Sequence, residues 1–226
     1  TEINPSLIIA GCGALGSKIA MHLVRSGITN ILFCDPDYLS DHNLCRHALL
    51  DKSVYKNKAS EMRSATNLIY YHEMLKADAS CRGIKTILGD AEIMSKRTPD
   101  YLLDFTASKV AHNQLVNIRN RPTAISAAIF DNGKFGLLMS EGNNGEVRLD
   151  DVMAAFFAQY KTDPLVSSYL MREKELSREP SSLLNVGLGC NSETFILADD
   201  IISLYAASMS VTIKDIFAGN HANGGC

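Results

Sequence analysis

The stretch from Leu7 to Asp37 constrains this chain more than any other. An apolar run, Leu7-Ile8-Ile9-Ala10, passes directly into Gly11-Cys12-Gly13-Ala14-Leu15-Gly16. A helical segment follows, with Ile19, Ala20, Leu23 and Val24 on one face. A second apolar run, Ile31-Leu32-Phe33-Cys34, then delivers Asp35. The order is strand, glycine turn, helix, strand, acid. Gly11 permits the tight turn, Gly13 lets backbone approach a phosphate or ribose, and Gly16 lets the helix lie close to the sheet. The helix N-terminus offers N–H groups and positive dipole to an anion. Asp35 follows the glycines by about 20 residues, where a carboxylate can meet ribose hydroxyls. These features together predict a nucleotide-binding α/β domain.

A length of 226 residues fits one large α/β domain, or one domain with an appendage. Apolar runs fall well short of the roughly 18 residues that span a bilayer, so no membrane role is expected. A net charge of −3 without a basic cluster gives no support to nucleic-acid binding. The six cysteines include no C-x-x-C pair, which excludes zinc-ribbon spacing, and Cys12 and Cys34 sit where cysteine behaves as a small hydrophobe. A reducing cytosol is the expected setting. The polar opening Thr1-Glu2-Ile3-Asn4-Pro5 carries no signal-peptide pattern, and its quick passage into a strand suggests a domain cut from a longer protein.

Beyond Asp35, the polar stretch from Pro36 to His47 predicts a loop with a short helical turn. Helical spacing marks Lys56–Ile69 and Val110–Arg119, and strands are expected at Lys85–Leu88, Tyr101–Phe105 and Thr123–Ile129. Asp131-Asn132-Gly133 between apolar runs predicts a hairpin into Phe135–Met139, giving the sheet an antiparallel edge. Helices are expected at Leu149–Tyr160, Leu165–Leu176 and Ser192–Met209, with the polar stretch Ser177–Ser182 between the last two. The fold expected is a doubly wound, mostly parallel Rossmann-like sheet with antiparallel edge strands and a helical C-terminal segment. Residues 1–145 would form the nucleotide-binding core, and residues 146–226 a helical segment packed on it. A glycine-rich, flexible tail is expected from about residue 219.

The glycine turn alone suits NAD, FAD, S-adenosylmethionine or ATP. Asn43, Arg46 and Lys58 follow within one crossover, near the expected mouth of the site. Arg supplies a planar fork for phosphate and Lys a point charge, a set that suits a triphosphate. Spacing alone also allows both cations to be ordinary solvated charges.

Four ordered motifs resemble the adenylation domain of the ThiF/MoeB/E1 superfamily, the ubiquitin-activating enzymes and their bacterial relatives. They are Gly11-Cys12-Gly13-Ala14-Leu15-Gly16-Ser17, Asp35-Pro36-Asp37, Asn43-Leu44-Cys45-Arg46-His47 and Lys56-Asn57-Lys58-Ala59. The resemblance implies a domain that binds Mg-ATP and adenylates the C-terminal glycine of a ubiquitin-like protein. It implies ribose contact at Asp35, in the D-x-D pair with Asp37, and triphosphate contact at Asn43, Arg46 and Lys58. His47 replaces the family's usual glutamine. The family's D-x-T-D-N metal stretch reads Asp104-Phe105-Thr106-Ala107-Ser108, leaving Asp104 as the metal-binding candidate and Ala107 where the second acid belongs. Alanine cannot coordinate Mg²⁺.

Cys190, in Gly189-Cys190-Asn191-Ser192-Glu193-Thr194, is the candidate thioester nucleophile, placed before an expected helix whose dipole favours thiolate. The alternative is a buried structural cysteine, and Cys45 is a second candidate near the nucleotide. The resemblance further implies a homodimer and, with the abrupt start, an upstream E2-like partner domain in a bacterial conjugation or antiviral defence system. Two other functions compete: a nicotinamide-dependent oxidoreductase, and a degenerate nucleotide-binding scaffold, which Ala107 favours.

Overall fold

Both faces of the sheet are covered, which is why its first strands read as unbroken apolar runs. The computed structural model describes residues 3–70, 77–118, 120–130, 133–142, 145–159, 162–164, 166–168, 171, 197–221 and 223–226. Along the chain come β1 (Leu7–Ala10), α1 (Ala14–Arg25), β2 (Ile31–Cys34), α2 (Lys58–Thr66), β3 (Asp78–Ser80), α3 (Ile84–Leu88) and α4 (Ala91–Arg97). Then follow β4 (Tyr101–Asp104), α5 (Lys109–Asn117), β5 (Thr123–Phe130), β6 (Phe135–Ser140), α6 (Leu149–Ala158) and α7 (Asp199–Phe217). Short 3-10 turns lie at Asp41–Asn43 and Asp51–Ser53.

Successive strand side chains point to opposite faces. Leu7 and Ile9 of β1, with Ile31 and Phe33 of β2, enter a core closed by α1, α2 and α7. Ile8, Ala10, Leu32 and Cys34 enter the opposite core, closed by α3, α5 and α6. The described sheet has the order β3-β2-β1-β4-β5-β6, all parallel except the antiparallel pair β5–β6. Register sets Ala10 beside both Cys34 and Asp104. The chain leaves these three neighbouring strand ends for the glycine turn, the Asp35 loop and the Phe105 loop. Because β2 lies on one side of β1 and β4 on the other, the loops part there and open a crevice. Among the described residues, no helix is long and apolar enough to cross a membrane.

Four expectations change. The strand expected at Lys85–Leu88 is helix α3, since Ile84 and Ile87 stand three apart and turn the same face into the core. The third strand is instead Asp78–Ser80, a three-residue edge strand with almost no apolar signal. Helix α2 is shorter than Lys56–Ile69: Asn57 caps it by accepting from the Ser60 N–H, and Leu68 is left exposed. Helix α7 runs past Met209 to Phe217, because Ile213 and Ile216 continue the buried stripe of Ile202, Ala206 and Met209. The tail expected to be flexible is held: Gly225 N–H donates to Ser140 O at 2.9 Å, and Ser140 N–H donates back at 2.8 Å. Gly224 makes this docking possible, because a Cβ there would lie 2.7 Å from the Gly142 nitrogen. Most of Leu165–Leu176, all of Ser177–Ser182 and the segment around Cys190 fall outside the described residues.

A buried ion pair fixes the corner after β6. Glu141 accepts from both terminal nitrogens of Arg121, at 2.6 and 2.7 Å, and from the Ala124 and Leu149 N–H groups. Burial alone would raise the Glu141 carboxyl, but these donors outweigh it and hold it below its ordinary value. Removing one partner of such a pair strands the other charge. Arg121→Met is therefore expected to lower unfolding free energy by about 3–5 kcal/mol in urea denaturation. Because the folded carboxyl is depressed, the wild-type contribution is complete above the unfolded value near 4.5 and disappears as pH falls through the folded one.

Candidate functional site

The crevice at the strand ends is a cleft of about 430 Å³. Its glycine wall admits no substitute. Gly11 has φ +87°, and a Cβ there would lie 2.6 Å from the Phe105 carbonyl carbon. A Cβ on Gly16 would lie 2.1 Å from the Gly11 oxygen. Helix α1 thus starts at van der Waals contact with the turn, with no acidic side chain in its first turn to oppose an anion.

Gly11, Gly13, Asp35, Asp37, Arg46 and Lys58 all line this cleft, so the structure brings most of the expected residues together. Asp35 is buried. One carboxylate oxygen accepts from the Cys12 N–H at 2.7 Å and the other from the Asp37 N–H at 2.8 Å. Burial pushes its carboxyl up, against the pull of these N–H groups and of Lys58. Asn57 Nδ2 donates to the Asp35 and Asp37 carbonyls, which seats the start of α2 on this loop. Lys58 follows directly, only 1% exposed, with its Nζ 3.4 Å from an Asp37 oxygen whose side chain is 44% exposed. Arg46 is also buried, its Nη1 3.9 Å from the Cys45 sulfur.

Asn43 lies beneath the cleft wall. Its Oδ1 accepts from the Ser40 N–H, and its buried Nδ2 has no partner among the described residues. Asp104 is buried as well and turned into its own loop, one oxygen accepting from both the Thr106 N–H at 3.0 Å and the Thr106 hydroxyl at 2.7 Å. Burial raises its carboxyl against those bonds. Ala107 does line the cleft, at φ +50°, a left-handed conformation that alanine rarely adopts. Among the described residues, no group of three or more His, Cys, Asp or Glu side chains comes together to hold a metal. The described residues offer magnesium single carboxylates, Asp37 on the cleft and Asp104 in the loop after β4, and magnesium is commonly held by one or two carboxylates together with phosphate oxygens and water. Cys45 is exposed, its sulfur 3.3 Å from the His42 carbonyl. Cys190 is outside the described residues.

Sequence reasoning missed the linking role of His47. This buried ring donates from Nε2 to the Cys12 carbonyl at 2.6 Å and accepts the Leu49 N–H on Nδ1 at 3.0 Å. Burial, aided by Lys58 and Lys18 and opposed by that carbonyl, pulls its pKa down to about 4. The far wall, with Ala127, Ala128, Leu197 and Ile202, was also not foreseen. It is small and apolar, and nothing in its residue types distinguishes it from core.

Sheet order, switch-point cleft and glycine turn define a Rossmann-like domain. Within that class, the chain belongs to the ThiF family, whose sequence profile matches residues 4–139. It is similar to an ATP-dependent ubiquitin transferase-like protein, Cap2 of Enterobacter hormaechei subsp. hoffmannii (strain UCI 50), at 35% identity over 106 residues. That alignment covers 46% of this chain and 17% of Cap2. Escherichia coli MccB, in a structure with ATP, shares the fold with a TM-score of 0.57 and 15% identity, covering 96% of this chain and 56% of MccB. PaaA gives a TM-score of 0.61 at 16% identity, covering 96% of this chain and 65% of PaaA. The chain thus spans less than two thirds of each of these relatives.

Gly16→Ala forces two backbone segments apart and is expected to lower stability by at least about 1–3 kcal/mol. Gly83→Ala, whose added Cβ meets nothing within 4 Å, serves as its control in the same thermal or urea denaturation.

Proposed function

We propose that this chain uses MgATP to adenylate the C-terminal glycine of a ubiquitin-like or otherwise glycine-ended protein. The observation that carries this reading is the convergence of the glycine turn, Asp35, Arg46 and Lys58 on one cleft. Membership of the ThiF family and similarity to Cap2 support it. Lys58 is buried, and its ion pair with Asp37 at 3.4 Å reaches a side chain half in solvent. A triphosphate beside it would supply a further anion.

In this reaction the acceptor carboxylate attacks the α-phosphorus of ATP, the bond to the β-phosphate oxygen breaks, and pyrophosphate leaves. An acyl-adenylate remains. Asp35 orients the ribose, while Gly13 and the start of α1 face the phosphates. Arg46 and Lys58 stabilise the charge that develops on the leaving pyrophosphate. Asn43, with its unpaired Nδ2, completes the phosphate-binding loop. The thiolate of Cys190 then attacks the acyl carbon, AMP leaves, and a thioester forms. The chain works as a homodimer alongside an E2-like partner in the bacterial cytoplasm, in a conjugation or antiviral defence system.

ATP–pyrophosphate exchange dependent on a glycine-ended protein tests the first step. Arg46→Ala and Lys58→Met are each expected to reduce exchange about 10²-fold or more. Hydride exchange with NADH would instead indicate an oxidoreductase, and tight ATP binding without exchange a scaffold. Cys190→Ala is expected to spare exchange and abolish a thiol-reducible protein adduct. An adduct that survives this change removes Cys190 from the mechanism.

A further inference from the structure

We infer that His47 is a positioning residue of the nucleotide cleft: its Nε2–H, held on the Cys12 carbonyl, locks the loop that carries Arg46 against the glycine turn. This rests on the reading of the cleft as an ATP site.

The two ring nitrogens have different partners, and those partners fix the tautomer. A carbonyl oxygen only accepts, so Nε2 carries the proton toward Cys12. A backbone N–H only donates, so Nδ1 is bare toward Leu49. The ring is therefore neutral and anchored at both ends, and at 6% exposure it has no room to turn. One residue further on, the Ala48 N–H donates to the Ser17 hydroxyl, which itself donates to the Ala14 carbonyl in the first turn of α1. Loop and glycine turn are thus joined at two consecutive residues. Arg46 immediately precedes them, and its own N–H and that of His47 both donate to the Asn43 carbonyl. The loop around Arg46 contains only 3-10 turns, and these links join it to the glycine turn and α1.

Cys12 is gripped from both sides. Its N–H donates to Asp35 and its carbonyl accepts from His47. The carbonyl of Cys12 and the N–H of Gly13 belong to one planar trans peptide and point in opposite directions. Holding that carbonyl on the ring therefore also fixes where the Gly13 N–H points, and Gly13 lines the cleft. One imidazole sets both the backbone donor and the side-chain cation offered to a phosphate.

Two substitutions separate the bonds. Asparagine at 47 can offer an oxygen to the Leu49 N–H but is too short to reach Cys12. Glutamine can reach the Cys12 carbonyl with its amide N–H. With ATP as the probe and calorimetry on the whole chain, His47→Asn is expected to weaken binding at least tenfold, and His47→Gln to recover most of that loss. Combining His47→Asn with Arg46→Ala should cost less than the product of the two single losses, since both act on one contact. Nitrogen-15 NMR of the wild type should show the neutral Nε2–H tautomer. Equal losses for the asparagine and glutamine variants, strictly multiplicative losses in the double variant, or the Nδ1–H tautomer would each overturn the inference. A wild-type chain that fails to bind ATP overturns the ATP-site reading and this inference with it. Wild-type binding that His47→Asn leaves unchanged overturns only this inference.

Discussion

The approach of Gly16 to Gly11 is the contact on which the site depends. A single added carbon at either residue would meet backbone atoms at 2.1 to 2.6 Å. Backbone cannot swing aside as a flexible side chain can, so the two glycines let β1 turn into α1 beneath the Phe105 loop. Everything that reaches the cleft is then built outward from this turn. Asp35 ties to it through the Cys12 N–H, His47 through the Cys12 carbonyl, and the loop after β4 through contact with Gly11. An acid expected mainly to meet a ribose is also a structural brace, since both of its oxygens accept backbone N–H groups.

The parts of the fold legible in the sequence are those whose burial leaves a pattern. Strands β1 and β2 send alternate residues into two cores, so every residue must be apolar and the runs stand out. The antiparallel edge was legible from the glycine turn between Phe130 and Phe135. Strand β3 was not, because an edge strand of Asp78, Ala79 and Ser80 buries little and leaves little signal. Its place in the expectation was taken by Ile84 and Ile87, whose burial is real but helical. The docked tail was illegible for a different reason. Glycines near a terminus usually signal freedom, whereas here Gly224 is required by the closeness of Ser140 and Gly142.

Within the site, the sequence revealed charges better than their connections. Motif order brought Asp35, Arg46 and Lys58 to one place, and in the structure all three line one cleft. Motif order could not show that Asn43 sits beneath the cleft wall, or that Asp104 turns away to its own Thr106. It identified His47 as a departure from pattern without revealing what the ring holds. Such bonds run between a side chain and distant backbone, and backbone has no letter in the sequence.

Ala107 shows what the site keeps and what it gives up. The loop after Asp104 must turn left-handed to pass over Gly11, and at φ +50° this costs a non-glycine residue about 1–2 kcal/mol. Asparagine or aspartate would tolerate that conformation better, because a short polar side chain can bond locally. Alanine takes the turn without that help and adds no charge to the wall. Asp104 faces inward to Thr106, so the acids on the cleft lining are Asp35, braced by backbone N–H groups, and the half-exposed Asp37, beside the buried cations Arg46 and Lys58. What tips this balanced lining toward an anion is the amino end of α1, which has no acidic side chain in its first turn.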